Sequence, residues 1–219
     1  MAEKMLVTQA LDERDLLVKK IGDKSGKLRL ADTKKKNEDR TADARETPEE
    51  YGKAAQSAWQ QVMDLIDRYQ RLDAAIIASN AANHVETSLG RYSVAGAIAL
   101  RARLKGDGIY QGRGRFEESL METLRMQYDA AVKAADLRNK QLESQAENMR
   151  LSILGRDAKG KDTRPLEVVD AYIRENTTEV VDPLDAQKKT RELRERTDTL
   201  LSELDTRIKV SNATTTIEF

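Results

Sequence analysis

Apolar side chains recur along most of this chain at steps of three and four, the spacing of one face of an α-helix. Leu6, Ala10, Leu17, Ile21 and Leu28 share a stripe that predicts a first helix from about Lys4 to Leu30, weakened late by Gly22 and Gly26. The periodicity then stops. Asp32 to Arg40 is a mixed-charge run, and residues 31–47 read as a mobile, solvated loop. The basic cluster Lys34, Lys35 and Lys36 is followed by acids that cancel it. Thr47-Pro48-Glu49-Glu50 is a helix start: a hydroxyl for the free amides, Pro at the first helical position, and Glu three residues after the cap. Tyr51, Ala55, Ala58, Val62, Leu65, Tyr69, Leu72 and Ile76 follow as an a/d seam, which predicts a helix of roughly 48 Å to Asn80. Trp59, Ile66 and Ile77 widen the seam, as contact with more than one neighbouring helix would require.

Beyond Asn80 the pattern changes. His84 to Thr87 and Arg91 to Ser93 flank Ser88-Leu89-Gly90 and predict a β-hairpin. Ser93 is placed to cap a short helix through Ala95, Ile98, Leu100 and Leu104. Residues 105–115 form a Gly-rich loop, with Gly106, Gly108, Gly112 and Gly114 breaking any helix. The longest helix, roughly 58 Å, is predicted from Phe116 to Leu154. Residues 155–181 read as an irregular connector with short strands at Val168-Val169 and Val180-Val181. Asp182-Pro183 suggests the start of a last helix, which carries Leu193, Leu200, Leu204 and Ile208 to Val210. Thr214 to Phe219 has strand character. The fold class is therefore mainly α: one domain over residues 1–219, an elongated antiparallel four-helix bundle of coiled-coil type, with a small sheet at one end.

Two helix ends echo each other. Leu72-Asp73-x-x-Ile76-x-x-Ser79-Asn80-Ala81 aligns without gaps to Leu204-Asp205-x-x-Ile208-x-x-Ser211-Asn212-Ala213, and Val85-Glu86 then faces Ile217-Glu218. Both copies read as helix, Asn stop, strand, because Asn tolerates the left-handed turn that ends a helix. The expectation is that both stops lie at one pole, with the Val85–Tyr92 hairpin and the tail strand in one sheet. Asn80, Asn83 and Asn212 would then form a polar cluster, structural on capping grounds, with a binding role as the alternative.

Composition narrows the function classes. Charged residues make up 35% of 219 residues, but Lys+Arg and Asp+Glu are both 38, so the net charge is zero. That balance disfavours a general nucleic-acid or membrane-surface binder. The absence of Cys removes disulfides and thiolate metal sites. No apolar run is long enough to span a bilayer and no signal-peptide core is present, so the expected location is the cytoplasm of a bacterium or infected host, or a virion.

The chemical search is empty. His84 is the single His, and Ala81 stands where a Glu-x-x-His di-iron motif needs its acid. No nucleophile elbow or phosphate loop exists. No catalytic, cofactor or metal-binding residue is predicted, and the chain is not expected to be an enzyme. In the Gly-rich loop, Tyr110, Arg113 and Arg115 could touch a phosphate backbone with Tyr110 stacking on a base, but a plain connector explains them as well.

Ala10-Leu11-Asp12-Glu13-Arg14, Ile77-Ala78-Ser79-Asn80-Ala81-Ala82-Asn83 with Gly90, Val181-Asp182, Leu204-Asp205-x-x-Ile208 and Asn212-Ala213-Thr214-Thr215 together resemble the septicolysin-like family of bacterial and phage-borne helical bundles. The resemblance is discontinuous, over about half the chain. It implies a four-helix bundle that self-associates; the family name implies a cytolysin, which no residue here carries over. The Gly106–Arg115 loop and the Gly155–Val180 region depart from it. The function expected is a structural or interaction protein that meets copies of itself, or a partner protein, through the seam of Tyr51, Val62, Leu65, Tyr69, Leu72 and Ile76. A phage or mobile-element assembly component and a membrane-acting cytolysin are the alternatives.

Overall fold

Each helix forms where apolar periodicity and a local cap agree. In the computed structural model, which describes residues 3–154 and 164–219, helix α2 runs Pro48–Ala82. Its first turn is closed by the predicted capping box: the Glu50 amide donates to Thr47 Oγ1 at 3.3 Å, and the Thr47 amide donates to Glu50 Oε2 at 3.0 Å. Before it come strand β1 (Lys4–Leu6) and helix α1 (Val7–Gly26), so the first residues of the predicted first helix are a strand instead. After it come β2 (His84–Thr87), β3 (Gly90–Ser93) and α3 (Val94–Lys105), in which the Gly96 amide donates to Ser93 Oγ as the cap requires. Helix α4 spans Phe116–Leu154, α5 Arg164–Asn176, α6 Ala186–Thr214, and strand β4 Thr216–Glu218. The protein is mainly helical, with small two-stranded antiparallel sheets.

Two compact units emerge. One is Met1–Arg103 with Leu200–Phe219; the other is Leu104–Thr199. In the first, α1 packs on α2 around Val7, Ala10, Leu17, Leu72, Ile76 and Ile217, all nearly or fully buried. Burying each large apolar side chain contributes about 1.5–3 kcal/mol, so this patch accounts for much of the drive to pair the helices. Strand β1 pairs with β4, and β2 pairs with β3. The expected single sheet of hairpin plus tail strand does not form. Strand β4 finds β1 because that register buries Ile217 opposite Met5, and alternation fixes register wherever one face is covered.

In the second unit, α4 packs on α5. The connector expected to be irregular over 155–181 thus contains a helix, and Val169, read as part of a strand, is buried on it. Pro165 stands in the first turn of that helix, where its missing amide costs no helical bond. Residues 155–163 lie outside the described residues. The Asn139 side-chain amide satisfies both backbone groups of Thr178, donating to its carbonyl at 3.0 Å and accepting from its amide at 2.8 Å. Helix α6 starts later than Asp182-Pro183 suggested. Asp182 accepts from the Ala186 amide and Asp185 from the Lys188 amide, which moves Pro183 out of the helix.

Candidate functional site: helix ends, loops and the open face of α4

The predicted seam is placed first. Leu72 and Ile76 are buried, and Leu65 and Tyr69 pack against the same core from its margin; Val62 is buried too. The lower α2 seam is therefore occupied within the chain by α1 and β4, and is not open to a second molecule. The widening residues fare differently: Trp59 is 51% exposed and Ile77 61%.

Tyr51, at the start of the seam, lines a hollow of about 600 Å³ with Arg29, Asp32, Asp43 and Arg45, and its buried hydroxyl has no hydrogen-bond partner. The wall of this hollow is the charged loop. Asp32 knits that loop together by accepting from the amides of Thr33 (2.7 Å), Ala44 (3.0 Å) and Asp43 (3.3 Å). These bonds, the Ala44 amide first, hold the Asp32 carboxyl below the usual carboxylate range. The signal was present in the sequence as an Asp, ten residues before a second turn, but nothing local reveals the partner amides.

The helix ends also differ from expectation in detail. Asn80 and Asn212 lie inside α2 and α6, each just before the last two residues of its helix. Asn83 is the cap of α2. Its backbone is extended at φ −83°, and its side chain donates to the Ser79 carbonyl at 2.9 Å. A left-handed stop is not used, because the chain must leave directly into β2. Among the described residues, no hydrogen bond joins Asn80, Asn83 and Asn212 to one another.

Around these ends lie two charged ties. Arg68 on α2 donates Nε to Glu13 at 2.6 Å, and Nη1 and Nη2 to the two Glu3 oxygens at 3.1 and 2.6 Å. Its guanidinium also stands over the Phe219 ring at 5.3 Å. The hydrogen bond to Glu3, then that to Glu13, raises the Arg68 pKa, and the same bond lowers that of Glu3. At the β2–β3 hairpin, Glu203 on α6 accepts from the Ser88 amide at 2.8 Å and the Ser88 hydroxyl at 2.9 Å, which lowers its pKa.

In the Gly-rich loop Gly106, Gly108, Gly112 and Gly114 all take positive φ, which explains their number. Arg115 pairs with Glu118 at 2.6 Å and packs against Gly106. Tyr110 is half-buried and Arg113 exposed, and the Arg113 amide donates to the Tyr110 carbonyl at 3.0 Å, a turn of the loop itself. Among the described residues no group of three or more His, Asp or Glu is placed to hold a metal ion. No described helix is long and apolar enough to cross a membrane.

The face that sequence reasoning missed is on α4. Met121, Leu124, Tyr128, Val132, Ala135 and Leu142 make its covered side. Charges gather on a second side. At 100° per residue, the remaining third between Phe116 and Gln141 carries Phe116, Leu120, Met126, Ala130, Ala134 and Leu137, with Ser119, Thr123, Gln127 and Gln141. All are exposed, Phe116 by 67%, Met126 by 60% and Leu137 by 59%, and the only charge touching this third is Arg138 at its edge. In a chain that is 35% charged, an exposed strip of about 38 Å without a charge is a marked depletion.

No family model, no curated protein and no solved structure matches this chain.

Proposed function

We propose that this is a non-enzymatic structural protein that associates with a second copy of itself through the uncharged face of α4. The depletion of charge on that exposed face carries the reading, since charged residues are what interface cores lack. An antiparallel two-fold pair of α4 helices suits its edges. Glu122 would face the partner's Lys133 and Glu117 the partner's Arg138, and both pairs share one midpoint, between Gln127 and Tyr128. Leu120 would then lie about two residues, roughly 3 Å along the axis, from the level of the partner's Leu137. The resemblance to the septicolysin-like family supports a self-associating helical bundle, with α1, α2, α3 and the end of α6 as its antiparallel four helices. The residues that carry that resemblance include Leu204 and Ile208, which are buried, so they support a shared fold and no activity. A cytoplasmic setting goes with this reading, and one in a phage particle rests on the same resemblance.

Light scattering coupled to gel filtration at about 50 μM tests the reading. A dimer is expected for the natural sequence and a monomer for Leu137→Glu. Lys133→Glu should weaken the dimer, and Glu122→Lys added to it should restore it. A natural sequence that stays monomeric throughout overturns the proposal.

A further inference from the structure

The echo of two helix ends extends much further in three dimensions. Strands β1 and β4 pair as Lys4 with Glu218, Met5 with Ile217 and Leu6 with Thr216. Strands β3 and β2 pair as Arg91 with Glu86, Tyr92 with Val85 and Ser93 with His84. One shift of 87 positions carries β1 onto β3, and one shift of 132 carries β2 onto β4, and the same shifts hold through the helices. Each two-stranded sheet bears a cross-strand ion pair at the same place: Lys4–Glu218 at 2.9 Å and Arg91–Glu86 at 3.5 Å. Each following helix opens with a Val amide donating to the residue that caps the other helix: Val7 to the Thr215 carbonyl and Val94 to the Asn83 carbonyl, both at 2.9 Å. Each long helix closes with that cap's amide donating to a Ser carbonyl, Asn83 to Ser79 and Thr215 to Ser211, again both at 2.9 Å.

Burial follows suit. Val7 and Val94 are each 1% exposed, Ala10 and Ala97 each 0%, Leu72 and Leu204 each 0%, Val85 and Ile217 each 5%. An Arg one turn further along each first helix meets the Asp of the long helix, Arg14 to Asp73 at 3.4 Å and Arg101 to Asp205 at 3.1 Å. Each pair of strands is also tied to a long helix, though at positions the shift does not relate: Arg68 of α2 holds the open end of β1 and β4, and Glu203 of α6 holds the turn between β2 and β3.

We infer that the unit of Met1–Arg103 and Leu200–Phe219 is a fused pair of one strand–helix–helix–strand module, in which each copy's binding partner is the other copy. The first copy is β1, α1, α2 and β2. The second is β3, α3, the end of α6 and β4, and the unit Leu104–Thr199 is an insertion between its two helices, which is why the chain divides at those residues. The surface joining the copies is a self-recognition surface, closed by a covalent turn at Ser88-Leu89 on one side and by paired strands alone on the other. It is independent of the proposed α4 dimer, which lies wholly in the inserted unit.

The two closures should be interchangeable. The protein has no Cys, so engineered pairs are clean. Lys4–Glu218 and Glu86–Arg91 are both non-hydrogen-bonded register pairs, the geometry that accepts a disulfide. The full chain carrying Lys4→Cys with Glu218→Cys, and the full chain carrying Glu86→Cys with Arg91→Cys, should both oxidise to an intramolecular disulfide. With the first disulfide formed, cutting at a protease site placed at Ser88-Leu89 should leave the helical circular dichroism intact and the urea midpoint within about 0.5 M of the uncut protein. Should the site itself disturb folding, Arg14→Ala and Arg101→Ala serve instead, and equal midpoint losses within about 0.3 M are expected. Failure of the Lys4/Glu218 pair to oxidise, loss of helix on cutting, or unequal Arg effects overturns the inference. None of these readouts depends on whether the protein dimerises.

Discussion

Truncating Leu72 and Leu204 in separate variants gives the most direct test of the paired architecture. Both are 0% exposed and sit at equivalent points of α2 and α6. Removing three carbons from a fully buried Leu loses transfer free energy and leaves a cavity that rigid neighbours fill only in part, for a cost of about 3–4 kcal/mol. With a urea dependence of about 2 kcal/mol per molar, each midpoint should fall by about 1.5–2 M. The two compact units need not unfold together, so the probe must report on one of them. Trp59 is the single Trp and lies on α2, in the same unit as both leucines, so its fluorescence follows that unit. Ile77→Ala is the control: Ile77 is 61% exposed, and its loss should move the midpoint by no more than about 0.25 M. A fall below about 0.5 M for either Leu, or a threefold difference between them, would refute the reasoning, because equivalent places in one module must carry comparable loads.

Thr47→Ala should destabilise the same unit by about 1 kcal/mol, seen as a midpoint loss of about 0.5 M by Trp59 fluorescence, since it removes the acceptor for the Glu50 amide. Glu203 has its pKa lowered from 4.5 by the Ser88 amide and hydroxyl, so its contribution is present above pH 4.5 and is lost as the pH falls through the lowered value. Urea midpoints measured from pH 6 to 3 should therefore fall less steeply for Glu203→Gln than for the natural sequence; parallel curves would contradict this. Gly106→Ala should cost about 1–2 kcal/mol from its φ of +74° alone, and more because an added Cβ would lie 2.7 Å from Arg115 Cδ; thermal melts of the two proteins measure it.

The sequence alone determined what is local. Helices α2, α3 and α4, the hairpin β2–β3, the Gly-rich loop and the Thr47 cap all follow from periodicity, turn residues and capping chemistry that act within a few positions of one another. It also exposed half of the repeat, because Leu, Asp, Ile, Ser, Asn and Ala recur in order at the two helix ends. The other half stayed hidden. Between Val7–Leu17 and Val94–Leu104 only Val, Ala, Arg and Leu agree, a pattern that many amphipathic helices share. Only tertiary structure decided which strand β4 would pair with, what covers the α2 seam, and which face of α4 stays open. Those choices are between segments far apart in the chain, and burial settles them: Ile217 goes under cover beside Met5, Leu72 and Ile76 face α1, and the charge-free strip of α4 is left facing water. A hydrophobic stripe states that a helix needs a partner, and the partner is chosen by shape and register that no local pattern encodes.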